Sequence, residues 1–400
     1  MEGTRRSWPS FAAATGGLCA MLIGSSMPTP LFPVYGAAFH LGTLGITVLF
    51  SVYTLVVIPA LLLLGPVSDT KGRREVLAPA LGLSAVYAVI FAVANGPAWL
   101  FVAQAIEGVA MGALQGTAAP TLVEYDPRRD RRRASTVAST ATMGAAAVGL
   151  LLSGALAQYG PLGRRLPYIV EIGLLTAAFV AVLVLLPKRR NRRPWRPRRP
   201  TVPAEIRRPF ILASMSAFVA WAVGGLYLAL VPSFVATALH EPNLLVAAAI
   251  VALMMGTSAV VQAVARSWPS RRVQLAGVAT MAVGVAAIAV TTHVKVLPLL
   301  VVATLLTGGG HGLAFMGSLG DVNEIAPDDR KADVVASYYV VVYAATALPV
   351  IGVGVLAGVL GLLPAVSIFS YVVLAVCIAG FVGLLAERDE AREWSEREAA

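Results

Sequence analysis

The chain has 400 residues, of which 58% are hydrophobic and 13% charged, with a formal net charge of +10. A soluble globular domain carries about 25% charged residues, so this composition excludes an ordinary soluble protein. The basic excess does not point to nucleic acid, because it clusters beside apolar runs, where Lys and Arg meet anionic headgroups and set topology.

A helix that crosses a bilayer needs roughly 20 apolar residues. Backbone groups in lipid must pair internally, which leaves helices or closed barrels. The apolar runs here are too long and unbroken for barrel strands of about 10 alternating residues. Helical spans are predicted over 10–36, 45–65, 76–95, 98–123, 134–158, 166–186, 209–236, 244–265, 273–292, 297–320, 334–357 and 363–386. The expected fold is an all-α integral membrane protein of twelve transmembrane helices in two six-helix pseudo-symmetric halves. Residues 1–186 form the first half, 187–208 a basic linker, 209–386 the second half and 387–400 a charged tail. With a cytoplasmic N-terminus, the inner segments hold 28 Lys and Arg, against Arg164, Arg165 and Lys295 outside. That bias places both termini in the cytoplasm and the chain in the cell membrane.

In chain order, Arg5 and Arg6 precede the first span in the manner of a signal peptide. The apolar run continues well past a signal's 7–15 residues, so the segment is expected to stay as a helix. PTPLFP at 28–33 removes backbone donors near the outer end of this span, bending or loosening it. The second span ends in GPVSDTKGRREVL (65–77), an abrupt polar stretch. There Gly65 lets the helix end against a neighbour, Gly72 permits a tight turn that faces Arg73 and Arg74 to the cytoplasm, and Asp69 can meet a helix N-terminus and pair with an arginine.

Ionisable residues within the hydrocarbon are costly, by at least ~2.5–3.5 kcal/mol on insertion scales, and each is a functional candidate. Glu107 lies roughly 14 Å into the fourth span by the helical rise, near the midplane. It is the first candidate for a protonation or cation-binding group; the alternative is a neutral acid bonded to a neighbouring helix. His311 sits near the middle of the tenth span among Gly308, Gly309, Gly310 and Gly312. Glu171, about five residues into the sixth span, either serves coupling or reaches the outer surface near Arg164 and Arg165. Gln104, Gln115, Trp221 and Tyr227 are possible cavity contacts. Pro232 follows Gly224 and Gly225 at the outer end of the seventh span, the counterpart of the proline cluster. Cys19 and Cys377 fall in separate helices and are expected to be inert thiols. Trp195, in the linker, is expected at the membrane interface.

An internal repeat runs at an offset of 200: GVAMGALQGTAAPTLVEYDP (108–127) matches GGGHGLAFMGSLGDVNEIAP (308–327) at Gly108/Gly308, Gly112/Gly312, Glu124/Glu324 and Pro127/Pro327. Gly154 and Gly354 keep the offset. ARSWPSRRVQL (265–275) echoes the 65–77 loop, without its acid and glycines but with paired Arg271 and Arg272. Asp321 and Glu324 are placed to face them as gate charges of the second half. Repeated halves with a substrate site between them are the plan of secondary transporters.

The 65–77 stretch resembles the Gly-x-x-x-Asp-x-x-Gly-Arg-Lys/Arg signature of the major facilitator superfamily, with Gly65, Asp69, Gly72, Arg73 and Arg74 in register. With the span count and the repeat, the resemblance covers nearly the whole chain. It implies that this loop closes the cytoplasmic gate, with Asp69 paired to Arg73 and facing the eleventh span near Ala332–Val335, and Glu124 as acidic partner of Arg73. It also implies that spans one, four, seven and ten line the cavity. Two patterns depart. The family's Arg-x-x-Gln-Gly reads Gln104-Ala105-Ile106-Glu107-Gly108, with no arginine, and the fifth span keeps Gly144, Gly149 and Gly154 without the antiporter proline.

No phosphate-cradling loop, metal-ligand cluster or nucleophile motif is present in the sequence, so an enzyme or ATP-driven pump is not expected. The expected function is secondary active transport of small organic compounds, coupled to protons and exporting hydrophobic or cationic substrates, with no cofactor beyond the proton gradient. The expected partners are a small-molecule substrate and the lipid bilayer, with no nucleic acid, and the chain is expected to act as a monomer. Proton-coupled uptake of a metabolite, or a non-transporting membrane receptor or assembly protein, are the alternatives.

Overall fold

The structure is a computed structural model that describes residues 8–128, 131–188, 195, 197 and 199–399, without the side chains of 69, 119, 131–140 and 387–399. Among the described residues there is no strand, and twelve helices are long and apolar enough to cross a membrane. They are Trp8–Ala38, Thr43–Leu64, Arg74–Val93, Pro97–Gln115, Ala141–Tyr159, Gly163–Leu185, Ala204–Ala229, Leu244–Ala265, Ser270–Val294, Leu297–Ile325, Lys331–Leu360 and Leu362–Ala386. Large apolar side chains such as Val184, Val264 and Val359 point outward, as a lipid-facing surface requires. The start of the first span at Trp8, the end of the last at Ala386 and the 65–74 loop lie on one face of the bundle, here the terminal face; the opposite one is the far face.

Three spans are broken, the first and seventh beside the prolines expected to disturb them and the fourth where a continuous helix was expected. Pro28, Pro30 and Pro33 divide the first into Trp8–Ser26, a tight turn at Thr29–Leu31 and Phe32–Ala38, because each proline lacks the amide that would continue the ladder. The seventh breaks at Leu230, one residue before the helix Val231–Ala238 that holds Pro232. The fourth breaks at Gly116 and Thr117 before the helix Ala118–Tyr125. The last helix continues beyond its span to Ala399, into the segment expected to be a tail.

The glycines of the repeat are where helices touch. A methyl group on Gly108 would lie 2.7 Å from the Tyr53 carbonyl oxygen, and one on Gly112 would be 2.8 Å from Leu61 N, so the fourth span lies directly on the second. In the other half, a methyl on Gly308 would be 2.7 Å from the Met254 oxygen and one on Gly312 2.5 Å from the Ser258 oxygen, which sets the tenth span on the eighth in the same way. Small residues permit this approach, and in lipid such packing contributes much of what holds helices together. His40 and His240, also 200 apart, both adopt left-handed backbone at the turns that follow the first and seventh spans.

The two sets of six spans meet mainly between spans two and eleven and between spans five and eight. At Gly154 an added methyl would sit 2.6 Å from Ala248 Cβ and 2.9 Å from the Leu244 oxygen; at Gly354 it would sit 3.0 Å from Thr47 Cβ. Gln158 Oε1 accepts from Leu244 N at 2.9 Å, and Asn243 Nδ2 donates to the Tyr159 hydroxyl at 3.2 Å. The broken ends Phe32–Ala38 and Val231–Ala238 pack on each other. The contacts at Gly154, Gly354, Gln158 and Asn243, and those between the two broken ends, lie toward the far face.

Candidate transport site and gates

On the terminal face, Val67–Lys71 forms a short helix packed on spans two and three. Gly72 follows it with φ 113°, a conformation closed to side chains other than glycine's hydrogen. Gly65 lies against Gly116, so the second span ends where the fourth breaks. Arg73 does not stand out into water: its guanidinium donates to Glu124 Oε2 at 3.0 Å and to the Ser68 hydroxyl at 2.6 Å, and its side chain is only 12% exposed. Arg74 Nη1 donates to the Leu186 carbonyl at 3.3 Å, at the end of the sixth span. The expected pairing of Asp69 with Arg73 and the eleventh span lies outside the described side chains. Trp195 Nε1 donates to the Leu63 carbonyl at 3.0 Å, which places this side chain at the terminal-face end of the second span.

The second half repeats the arrangement with one residue exchanged. Arg271 Nη2 donates to the Leu384 carbonyl at 2.6 Å, near the terminal-face end of the twelfth span as Arg74 does at the sixth, although here the helix itself runs on to Ala399. Ser270 donates to Glu324 Oε1 at 2.8 Å, in the place that Arg73 takes toward Glu124. Arg271 also lies 3.9 Å from Asp321, while Arg272 is exposed. The sequence echo aligned paired arginines with paired arginines; the fold instead aligns Ser270-Arg271 with Arg73-Arg74.

Within the bundle, Glu107 is fully buried on the fourth span. Its Oε2 accepts from the Ser84 hydroxyl of the third span at 2.7 Å, and its Oε1 has no hydrogen-bond partner. Glu171 does not reach the surface. It is 1% exposed, both carboxyl oxygens lack a partner, and it packs against Gly24 of the first span, where a side chain larger than hydrogen would meet it. Gln104 is buried near Glu107, and Gln115 lies within hydrogen-bonding reach of Tyr343 on the eleventh span, across the two halves.

In the second half, His311 is fully buried. Ser258 Oγ lies 3.0 Å from His311 Nδ1 and accepts from Gln262 Nε2 at 3.1 Å. The Ser258 hydroxyl has one proton and two lone pairs, so it can serve Gln262 and either form of the His311 ring. His311 Nε2 and Trp221 Nε1 are both buried without a partner. Trp221 and His311 meet edge to face at 5.0 Å between ring centres, and Phe315, Tyr338, Tyr339 and Tyr343 carry the aromatic chain onto the eleventh span. Tyr227 takes no part in it, since its hydroxyl is bonded to Thr304 and Thr307 at 3.0 Å each. Gly310 and its neighbours fit the tenth span to spans eight and nine, so they act as a packing surface. Cys19 and Cys377 are free thiols, partly and fully buried.

The profile of the Major Facilitator Superfamily matches residues 14–349. The chain belongs to this superfamily. It is therefore a multi-pass membrane transporter of the secondary class and not an enzyme. No curated protein matches the sequence. Among solved structures, the transporter is similar to a bacterial homologue of the human lysosomal transporter Spinster, in an inward-facing, unoccupied conformation, at 15% identity and a TM-score of 0.69, with 95% of each chain covered. At that identity the likeness speaks for the fold alone.

Proposed function

We propose that this transporter exports small, hydrophobic or cationic organic compounds from the cell in exchange for protons, by alternating access between its two halves. The observation that carries the reading is Glu107: a buried carboxyl near the midplane, bonded to Ser84 through one oxygen and unpartnered at the other. A buried ionised acid without compensation is expensive, so the group's charge state is tied to what faces it, which is the property a coupling residue needs. Trp221, Phe315, Tyr339 and Tyr343 supply a partly open, uncharged aromatic wall suited to flat apolar compounds. The unpartnered Trp221 indole N–H favours substrates that also bear an acceptor oxygen or nitrogen, and the unpartnered His311 Nε2 adds a second polar contact beside it.

In this reading the basic terminal face is cytoplasmic, the membrane is the cell membrane, the functional unit is the monomer, and the contacts between the halves toward the far face make the present conformation the inward-facing one. The loop around Gly72 and its counterpart at Ser270-Arg271 then form the cytoplasmic gate.

The test uses purified protein in proteoliposomes under an imposed pH gradient, with ethidium and a neutral dye as probes. Wild type should show proton-driven flux, and Glu107→Gln should lose the dependence on the gradient while retaining counterflow exchange. Gradient-driven flux that is equal in both proteins would remove Glu107 from coupling. Accumulation in place of extrusion would reverse the direction.

A further inference from the structure

The proposed proton coupling leaves a second buried carboxyl, Glu171, without a task, and its surroundings suggest one. Glu171 lies on the sixth span, which in the bundle stands behind the cavity-lining helices and packs on spans one and three. Along one face of the third span, Ser84, Tyr87 and Phe91 form consecutive rungs. Ser84 holds Glu107, Tyr87 donates to the carbonyl of Gly24, the residue against which the Glu171 carboxyl packs, and Phe91 stacks on Tyr168 at 4.9 Å. By the helical rise, the rungs at 84 and 87 are about 4.5 Å apart.

Toward the far face, Tyr35 and Tyr168 cover Glu171, and their hydroxyls face each other without a well-formed bond. Arg164 closes the end, with its guanidinium 5.9 Å from the Tyr35 ring centre and 5.3 Å from that of Phe39. The ionisable groups facing Glu171 are thus Tyr35 from the first span, Tyr87 from the third, Glu107 from the fourth, Tyr168 from its own helix and Arg164 from the loop before it. The fifth span, which also touches the sixth, offers no ionisable side chain over 141–158.

We infer that Glu171 is the entry station of a proton path that runs behind the substrate cavity, from the far face through the Tyr35–Tyr168 cover to Glu171, across the Tyr87 hydroxyl, and on to Glu107. In each passage a proton leaves far-face water for Glu171. The Glu171 carboxyl passes it to the Tyr87 oxygen as that hydroxyl gives its own proton to ionised Glu107, and Glu107 later releases it to the cavity open on the terminal face. Tyr87 is otherwise committed only to a long 3.3 Å bond to the Gly24 carbonyl, which leaves its oxygen able to accept. Proton and substrate then use different routes, the first through the first half and the second along the aromatic wall of the second half. This inference rests on the assignment of Glu107 as the coupling group.

The experiment is infrared difference spectroscopy on proteoliposomes after a pH jump applied at the far face, with the carboxyl band lost in Glu107→Gln serving as the reporter for Glu107. In wild type the band should respond to the jump. In Glu171→Gln and, separately, in Tyr87→Phe, the band should persist but respond roughly 10²-fold more slowly, as expected on loss of one positioned proton carrier. Glu171→Asp should recover part of the rate. Tyr87→Phe keeps the ring and its packing, so it reports the hydroxyl even if Glu171→Gln disturbs folding. An unchanged rate in both variants overturns the path while leaving Glu107 in place. Absence of any Glu107 response in wild type overturns the coupling assignment itself.

Discussion

Gly154→Ala isolates one contact between the halves toward the far face. The new methyl would lie 2.6 Å from Ala248 Cβ, 2.9 Å from the Leu244 oxygen and 3.1 Å from Leu245 Cα. Ordinary contacts are about 3.5–4.0 Å, so spans five and eight must separate by roughly 1 Å. Two of the three opposing atoms belong to backbone and cannot turn aside. Overpacking of this kind costs about 1–3 kcal/mol. The cost falls only on the conformation in which these spans touch, so the equilibrium moves toward an open far face by about 5–150-fold. Spin labels at Asn95→Cys and Lys295→Cys, exposed far-face positions in the two halves, would read this in a background with Cys19 and Cys377 replaced by Ser. Their distance distribution should gain a long component in Gly154→Ala. Gly173→Ala, where a methyl meets nothing within 4 Å, should leave it unchanged. A distribution identical in wild type and Gly154→Ala would refute the view that this crossing closes the far face.

Three further outcomes are expected. Gly72→Ala places a side chain at φ 113° and should destabilise the folded transporter by roughly 1–3 kcal/mol, seen as a lower midpoint of thermal unfolding in detergent. Arg74→Ala and Arg271→Ala remove equivalent bonds to the carbonyls of Leu186 and Leu384, so their unfolding midpoints should fall by similar amounts, each reflecting about 1.5–3 kcal/mol for a charged hydrogen bond; a drop in only one would break the equivalence of the two corners. Trp221→Ala removes one aromatic face of the proposed wall and should weaken ethidium binding by roughly 2–10-fold in a fluorescence titration, with counterflow of non-aromatic probes less affected.

Much of the architecture was legible because lipid leaves a chain few choices. Runs of apolar residues near the bilayer thickness must be helices, and Lys and Arg crowded into alternate loops order those helices across it. The repeat at an offset of 200 was also readable, and its glycines proved to be helix crossings: Gly108 and Gly112 on the second span, Gly308 and Gly312 on the eighth, Gly154 and Gly354 between the halves. Even the breaks near Pro28–Pro33 and Pro232 followed from missing amides. The break at Gly116 was not foreseen, because a lone glycine in an apolar run looks like any packing glycine until Gly65 is found lying against it.

The site was less legible, and the reason is orientation. Position along a helix follows from counting residues, which placed Glu107 and His311 near the midplane, but the partner a side chain meets depends on neighbours far away in the chain. Glu171 could be read as reaching the surface until the first span was seen to leave room for it at Gly24. The partners of the Tyr227 hydroxyl, Thr304 and Thr307 on the tenth span, could not be read from the sequence either. The paired arginines at 271 and 272 suggested one alignment of the two loops, and bonds to the Leu186 and Leu384 carbonyls of the sixth and twelfth spans chose another. Composition and periodicity alone determined that this is a twelve-span membrane protein with repeated halves, since burial of apolar surface and backbone pairing act on each segment locally. Only the tertiary structure decided where the halves touch and which neighbours the buried acids meet, because those facts depend on how helices distant in sequence are turned toward one another.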